Sequence, residues 1–103
     1  MDKKFKLHYS PLFYDDLDKI TDYILYELKN FESANNLISG VEESIKRHLM
    51  SPVNMAPYKS IKEREYQYRG IIIGNYLIFY VVIDDKMIVR RILYGKSEID
   101  KIL

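Results

Sequence analysis

The stretch that most constrains the fold is an uninterrupted apolar segment, residues 76–83, which reads Tyr-Leu-Ile-Phe-Tyr-Val-Val-Ile. A Gly-Asn pair precedes it and Asp-Asp-Lys follows it, and both are turn sequences. An apolar run of this length between two turns is typical of a strand that is covered on both faces. The sequence therefore predicts a sheet in which residues 76–83 form a central strand.

Three further segments predict the other strands of this sheet. Residues 65–73 begin with alternating side chains and end in Ile-Ile-Ile, and residues 87–94 follow the second turn. Residues 5–9 alternate apolar and polar side chains, which is the period of a half-buried strand. We therefore expect an antiparallel meander of three strands, with the N-terminal strand added to it.

Between the first strand and the meander, the apolar period becomes that of helices. Ser10 and Pro11 are typical of an N-cap followed by proline at the first helical position. Asn30 is expected to close the first helix, because asparagine tolerates the left-handed conformation of a C-cap. The apolar face of this helix consists of Phe13, Leu17, Ile20, Ile24 and Leu28.

A second helix is predicted to restart at Glu32 and Ser33 and to stop at Pro52. Gly40 inside it either costs about 1 kcal/mol relative to alanine or permits a close approach of the two helices. Residues 51–62 are expected to be a connection along the surface. The apolar face of the second helix consists of Ala34, Leu37, Ile38, Val41, Ile45 and Leu49.

The element order is thus β-α-α-β-β-β, an α+β class in which a helical hairpin packs on a small, mainly antiparallel sheet. Length predicts one domain over residues 1–103. The chain has no cysteine, no apolar stretch of 18 residues and no metal-ligand spacing, and it starts without the apolar region of a signal peptide. We expect a cytoplasmic protein without a cofactor, a metal or a membrane partner.

Charge is distributed unevenly along the chain. Residues 1–53 carry seven Lys/Arg and nine Asp/Glu, whereas residues 54–103 carry nine Lys/Arg and six Asp/Glu. A surface for an anionic partner is therefore more expected in the second half, although a mixed, solvated surface explains the difference equally well. Arg90 and Arg91 are adjacent, so strand alternation would place them on opposite faces. The cations of this half include Lys59, Lys62, Arg64, Arg69, Arg90, Arg91 and Lys96.

Tyrosines and aspartates offer two further candidate groups. Tyrosines in the sheet region could stack on bases, or they could be packing residues, which is the favoured interpretation for Tyr76 and Tyr80, while Tyr94 leaves both open. The aspartates of the first helix are interpreted as a solvated face that complements the helix dipole, because no pattern indicates burial. They are Asp15, Asp16, Asp18 and Asp22.

Two motifs resemble a known family. Arg-Gly-Ile-Ile-Ile-Gly-Asn-Tyr-Leu-Ile-Phe-Tyr at residues 69–80 resembles the ParE pattern of an arginine, a short strand, a glycine turn and a tyrosine-led apolar strand ending in Phe-Tyr. Val-Arg-Arg-Ile-Leu-Tyr-Gly at residues 89–95 is similar to the family's Arg-Val-Leu-His-Gly ending, with Arg91 at the arginine and Tyr94 replacing the histidine. The helical hairpin agrees, with Phe31 and Ser33 in place of proline and alanine. The chain resembles toxins of the RelE/ParE superfamily, and the ParE branch most.

The resemblance implies a type II toxin that takes part in growth arrest or plasmid stabilisation and forms a hetero-oligomer with a cognate antitoxin. ParE-type toxins poison DNA gyrase, which needs a binding surface. RelE-type toxins cut mRNA on the ribosome, which needs cations to stabilise a phosphate and groups to move protons. On the RelE pattern, the basic positions hold Tyr68, Gly70, Leu77 and Ser97. We therefore expect gyrase inhibition rather than enzymatic RNA cleavage, with ribonuclease activity as the alternative.

The resemblance and the charge pattern together name candidate site residues. If the chain is a ribonuclease, its catalytic residues would be Arg69, Arg91 and Tyr94. A third hypothesis is an inert family member that only binds its antitoxin. The candidates for contact with a target are Lys62, Arg64, Arg69, Arg91, Tyr94 and Lys96.

Overall fold

The structure, a computed structural model, describes residues 4–53 and 68–95. The first strand, β1, spans Lys6–Tyr9, and the helix α1 spans Pro11–Asp22 and continues as one π-helical segment, Tyr23–Glu27. The helix α2 spans Phe31–Leu49. The strands β2, β3 and β4 span Arg69–Ile73, Tyr76–Ile83 and Lys86–Tyr94. Two helices thus accompany a four-stranded mixed sheet, and the predicted α+β class and element order are confirmed.

The sheet has the strand order β1-β4-β3-β2. β1 runs parallel to β4, and the other pairs are antiparallel hairpins, as the meander predicts. The β3 strand lies inside the sheet, and its middle residues Ile78, Phe79, Tyr80 and Val81 are all buried. The prediction from the uninterrupted apolar run is therefore confirmed, because side chains on both faces of β3 are buried.

The main core lies between the helices and one face of the sheet. The sheet contributes Ile78 and Tyr80, among others, and the other face carries a smaller cluster of Phe79 and Leu93. The helical contribution follows the predicted apolar stripes and consists of Phe13, Ile24, Ala34, Leu37, Val41 and Ile45. Burial of these stripes holds the helices against the sheet. It also stabilises the helices themselves, because isolated helices of this length are only marginally stable in water.

A β-bulge interrupts β4. Phe79 pairs with Arg91 and Tyr80 pairs with Val89, so Arg90 has no partner residue on β3. The extra residue shifts the alternation of side chains, and Val89 and Ile92, three positions apart, both lie in the main core. The strict alternation used to assign Arg90 and Arg91 to opposite faces was therefore wrong at this point of the strand.

The end of the first helix also differs from the prediction. Lys29, and not Asn30, adopts the left-handed conformation, with φ 51°. Asn30 is the N-cap of α2, and its side-chain oxygen accepts a hydrogen bond from the Ser33 backbone N–H at 3.0 Å. Leu28 follows the π-helical segment and is 57% exposed, so it does not belong to the buried face. The wider turn of a π-helix ends the regular 3.6-residue period on which that assignment depended.

The second helix begins at Phe31, one residue before the predicted restart at Glu32 and Ser33. A Cβ atom added at Gly40 would meet nothing within 4 Å, so this glycine does not serve a close approach of the helices. Ile38 is exposed, at 36%, and so departs from the predicted buried stripe. The remaining apolar positions of the predicted stripe lie against the core.

The chain after α2 is tied to the sheet. The buried Tyr80 hydroxyl donates a hydrogen bond to the Pro52 carbonyl oxygen at 2.6 Å. The predicted connection beyond residue 53, and the part of the predicted strand before residue 68, lie outside the described residues. Within the described ranges, no helix combines the length and hydropathy needed to cross a membrane.

Candidate functional site

The structure describes three of the six candidate residues. Arg69 begins β2, and Arg91 and Tyr94 lie on β4. Lys62, Arg64 and Lys96 lie outside the described residues. Arg69 contacts the chain after α2, whereas Arg91 contacts Asp16 of α1, and Tyr94 lines a pocket that Asp16 also lines.

Arg91 forms a two-pronged ion pair with Asp16 of α1. Its Nε donates to Asp16 Oδ2 at 2.6 Å, and one of its terminal nitrogens donates to Oδ1 at 2.9 Å. The Ile92 backbone N–H also donates to Asp16 Oδ2, at 3.2 Å. The side chains of Arg91 and Asp16 are 20% and 11% exposed. Such a parallel pair is the strongest form of arginine–carboxylate contact, and here it is largely shielded from water.

The position of this pair follows from the sheet. β1 pairs only with Lys86 to Val89 of β4, so the second half of β4 has β3 on one side and α1 on the other. Ser10 donates from its backbone N–H to the Val89 carbonyl at 2.9 Å and from its hydroxyl to the Arg90 carbonyl at 2.8 Å. Asp16 then accepts a hydrogen bond from the Ile92 backbone N–H. The side chains of Ser10 and Asp16 thus bind backbone groups of β4 beyond the point where β1 ends.

Asp16 therefore has a different role from the one expected of it. Asp15, Asp18 and Asp22 are exposed, as predicted, but Asp16 points inward and joins α1 to β4. The prediction failed because the helical period alone cannot show that a cation 75 positions away reaches this carboxylate.

Arg69 is also engaged within the molecule. One of its terminal nitrogens donates to the Val53 carbonyl at 3.3 Å. It pairs in the sheet with Tyr80, whose pKa is raised by burial and lowered to a smaller degree by the Arg69 charge. Both described candidate arginines thus have contacts that position neighbouring chain segments.

Tyr94 belongs to a pocket, which we call the tyrosine pocket. Its volume is about 570 Å³, within the range of roughly 300–1,000 Å³ that is usual for ligand pockets. The ring centroids of Tyr76 and Tyr94 are 5.1 Å apart, as expected from their pairing across β3 and β4. The lining residues are Asp16, Lys19, Ile20, Tyr23, Ile24, Leu28, Asn75, Tyr76, Ile92 and Tyr94.

The tyrosines of this pocket are close enough to affect one another. Burial raises the pKa of Tyr76, and its neighbours Tyr94 and Tyr23 raise it further. The Tyr76 hydroxyl is therefore protonated at neutral pH and can donate a hydrogen bond, but it cannot serve there as a phenolate base.

The π-helical segment supplies Tyr23 and Ile24 to this pocket. The Leu28 N–H donates to the Tyr23 carbonyl at 3.1 Å, five residues back, which is the hydrogen bond that defines a π-turn. Such turns are rare and occur frequently at functional sites. Sequence reasoning missed Tyr23, Lys19 and Asn75, because a π-turn has no simple sequence pattern and these residues lie outside the apolar stripe.

A second, smaller hollow of about 150 Å³ lies on the other side of α1, and we call it the hairpin groove. Tyr14, which lines it, is about half exposed, at 52%. Three aromatic rings pack together here, with ring centroids 5.2 to 5.9 Å apart, and they belong to Tyr9, Phe13 and Tyr14. The groove is lined by Tyr9, Phe13, Tyr14, Leu17, Ile38, Val41, Glu42 and Ile45.

Within the described residues, no cluster of His, Cys, Asp and Glu could hold a metal ion.

Comparison with protein families gives a match over almost the whole chain. The family is described as the ParE toxin of the type II toxin–antitoxin system parDE, and its model matches residues 7–99. The chain belongs to the ParE toxin family. It is accordingly a type II toxin of the RelE/ParE superfamily, as the strand and turn motifs indicated. Comparison with curated proteins gave no significant match.

Solved structures agree with this fold. A chromosomal ParDE system of Pseudomonas aeruginosa is similar with a TM-score of 0.73 and 18% identity, covering 91% of this chain and 99% of that one. The conserved hypothetical protein HP0894 of Helicobacter pylori is similar with a TM-score of 0.55 and 21% identity, covering 92% and 98%. At these identities the likeness concerns the fold.

Proposed function

We propose that this ParE-family toxin is a cytoplasmic protein that arrests growth by binding and poisoning DNA gyrase. It acts as a binding protein and does not cleave RNA. A cognate antitoxin, encoded for the same type II system, neutralises it by forming a hetero-oligomer. The family description supports the antitoxin partner, and the state of Arg91 supports the choice of mechanism.

The Asp16–Arg91 pair carries this proposal. An arginine that stabilises a phosphate during RNA cleavage must direct its N–H groups at the phosphate oxygens. In this chain, Nε and one terminal nitrogen of Arg91 already donate to Asp16 at 2.6 and 2.9 Å. Turning them to a substrate would leave a largely buried carboxylate without its cation, which is costly. Arg91 therefore suits a stabilising role better than a catalytic one.

The hairpin groove is the proposed site of the antitoxin. Its lining is mainly apolar, with Glu42 and the hydroxyls of Tyr9 and Tyr14 as polar groups, and a groove between two helices can bind an amphipathic helix of a partner. Ile38 and Tyr14, two of its lining residues, leave apolar surface exposed. A helix of the antitoxin would cover this apolar surface.

The mechanism is tested by expressing the chain without its antitoxin. We expect induction of the DNA-damage response and intact messages when RNA 5′ ends are sequenced within minutes. With purified proteins, we expect the toxin to trap gyrase on cleaved DNA. New RNA ends inside translated messages, without trapped gyrase, would show that the ribonuclease alternative is correct.

Two variants sharpen this test. Asp16→Ala leaves Arg91 in place, whereas Arg91→Ala removes it, and both variants break the same pair. A toxin that uses Arg91 only for stability should lose activity to a similar degree in both, in proportion to the loss of folded protein. A catalytic Arg91 predicts a different result, in which Arg91→Ala abolishes RNA cleavage at equal amounts of folded protein while Asp16→Ala retains it.

A further inference from the structure

The tyrosine pocket has the features of a protein-binding site. Its three rings come from three elements: Tyr23 from the π-helical segment, Tyr76 from β3 and Tyr94 from β4. Tyr23 and Tyr94 are 57% and 53% exposed, so more than half of each side chain faces solvent. Exposed tyrosines around a pocket are typical anchors of protein interfaces, because the ring is large and loses little conformational entropy on binding.

We propose that the tyrosine pocket is the contact site for gyrase, where it accepts a large apolar side chain from a gyrase segment that also carries lysine or arginine. This inference rests on the proposed function, and it goes further by naming the surface and the chemistry of the segment that binds there.

The chemistry of the pocket selects an apolar anchor. Ile20, Ile24 and Ile92 contribute apolar surface, and the lining polar groups are distributed among the tyrosine hydroxyls, Asn75 and Lys19. An apolar side chain would gain free energy by leaving water, and the polar groups could bind the backbone beside it. The charge of Asp16 is balanced by Arg91, so this carboxylate does not make the pocket itself anionic.

The surface beside the pocket selects basic flanking residues. Asp15 and Asp22 are exposed and lie four residues before and three residues after Lys19, so they occupy the same side of α1 as this pocket residue. Asp18 is exposed on the same helix. A segment with lysine or arginine is attracted to this surface, whereas the phosphates of RNA are repelled by it. Charge therefore favours a protein occupant over a nucleic acid.

The pocket is also held in shape before any partner arrives. Asp16 and Arg91 join α1 to β4, which form two of its walls, and the Tyr76 and Tyr94 rings support each other across the strands. A preformed site avoids part of the entropy loss of binding. The ion pair thus contributes to target binding by positioning the pocket walls, without a direct contact.

The test compares two tyrosines of the same π-helical segment. Tyr23 lines the pocket, whereas Tyr26 is 72% exposed and does not line it. Binding of the purified full-length toxin to gyrase holoenzyme is measured for the wild type, Tyr23→Ala, Tyr94→Ala and the control Tyr26→Ala. We expect losses of about thirtyfold for the two pocket variants, as for interface hot spots, and no change for Tyr26→Ala. Circular dichroism checks that each variant is folded.

Charge is tested in the same assay. Replacing Asp22 by lysine should weaken gyrase binding by about tenfold and reduce its salt dependence, because the attraction for a basic segment is removed. An unchanged affinity, or a tighter complex, would contradict the proposed chemistry of the occupant.

The outcomes separate the two proposals. If the wild-type toxin does not bind gyrase, the proposed function fails and the inference fails with it. If the wild type binds but Tyr23→Ala and Tyr94→Ala bind equally well, only the inference is overturned. It is also overturned if the pocket variants lose affinity for the antitoxin, for a second copy of the toxin or for a single-stranded RNA oligonucleotide while gyrase binding is retained.

Discussion

Breaking the Asp16–Arg91 pair should cost far more stability than breaking an ion pair on the surface. The two side chains are 11% and 20% exposed, and Asp16 also accepts a hydrogen bond from the Ile92 backbone. Removing one partner of a buried pair costs roughly 3–5 kcal/mol, because the other charge remains without compensation. Since some solvent reaches both groups here, we expect about 3 kcal/mol for either Asp16→Ala or Arg91→Ala.

The double variant separates the interaction from the other effects of each change. The coupling free energy between Asp16 and Arg91 is the part of the loss that the two single variants share, and we expect about 2 kcal/mol. Unfolding in urea, followed by circular dichroism because the chain has no tryptophan, gives each free energy. With an m-value of roughly 1.5 kcal/mol per molar, each single variant should unfold at a urea concentration about 2 M lower.

The chain contains a suitable control pair. Arg47 contacts Glu43 at 3.3 Å, one turn apart on α2, and their side chains are 65% and 75% exposed. Exposed pairs with this spacing are worth about 0.3–0.5 kcal/mol. If the coupling between Asp16 and Arg91 is no larger than that between Glu43 and Arg47, the stabilising role assigned to Arg91 is wrong, and the main support for a non-catalytic toxin is lost.

Further predictions concern the hydrogen bond of Tyr80, two glycines and alkaline pH. Tyr80→Phe should lower the unfolding free energy by about 1–2 kcal/mol in urea titrations, because the Pro52 carbonyl loses its donor. Gly40→Ala should raise the free energy of unfolding and Gly74→Ala should lower it, each by about 1 kcal/mol and with a shift of the melting temperature in the same direction. Both sites have open space, but Gly74 has φ 56° and Gly40 lies inside α2. Burial raises the pKa values of Tyr76 and Tyr80 above the ordinary value of 10.0. Just above that pH, these hydroxyls stay protonated in the folded protein while they lose their protons in the unfolded chain. Stability should therefore hold below pH about 10 and fall as the pH rises further, and Tyr80→Phe should make that fall shallower. Equal effects of the two glycine changes, or stability that increases above pH 10, would contradict these assignments.

The sequence predicts the architecture well because each element has its own local pattern. The apolar run of β3 indicates a place inside the sheet, and apolar residues three or four positions apart from Phe13 to Ile24 indicate a helix with one buried side. These patterns depend on neighbours in the chain. They give element order and the buried faces, with errors only where the local geometry changes, as at the π-turn before Leu28.

The candidate site was harder to predict because it depends on contacts between distant segments. Asp16 and Arg91 are 75 residues apart, and the bulge at Arg90 alters the side-chain alternation on which their faces were assigned. The tyrosine pocket similarly requires Tyr23, Tyr76 and Tyr94 to meet from three elements. Of these three, only Tyr94 was named as a candidate site residue, and Tyr76 was interpreted as a packing residue.

The ion pair also changes what the charge pattern means for a partner. The second half of the chain carries an excess of cations, which suggested a surface for an anion. Arg91 forms an ion pair with Asp16, and Arg69 donates a hydrogen bond to the Val53 carbonyl. Both of these candidate arginines therefore connect segments of the fold. Within the part of the chain that the structure describes, α1 carries three exposed aspartates, Asp15, Asp18 and Asp22, together with the pocket residue Lys19. A count along the sequence cannot distinguish charges that face a partner from charges that face each other, and in this chain that distinction favours a basic protein segment over a nucleic acid.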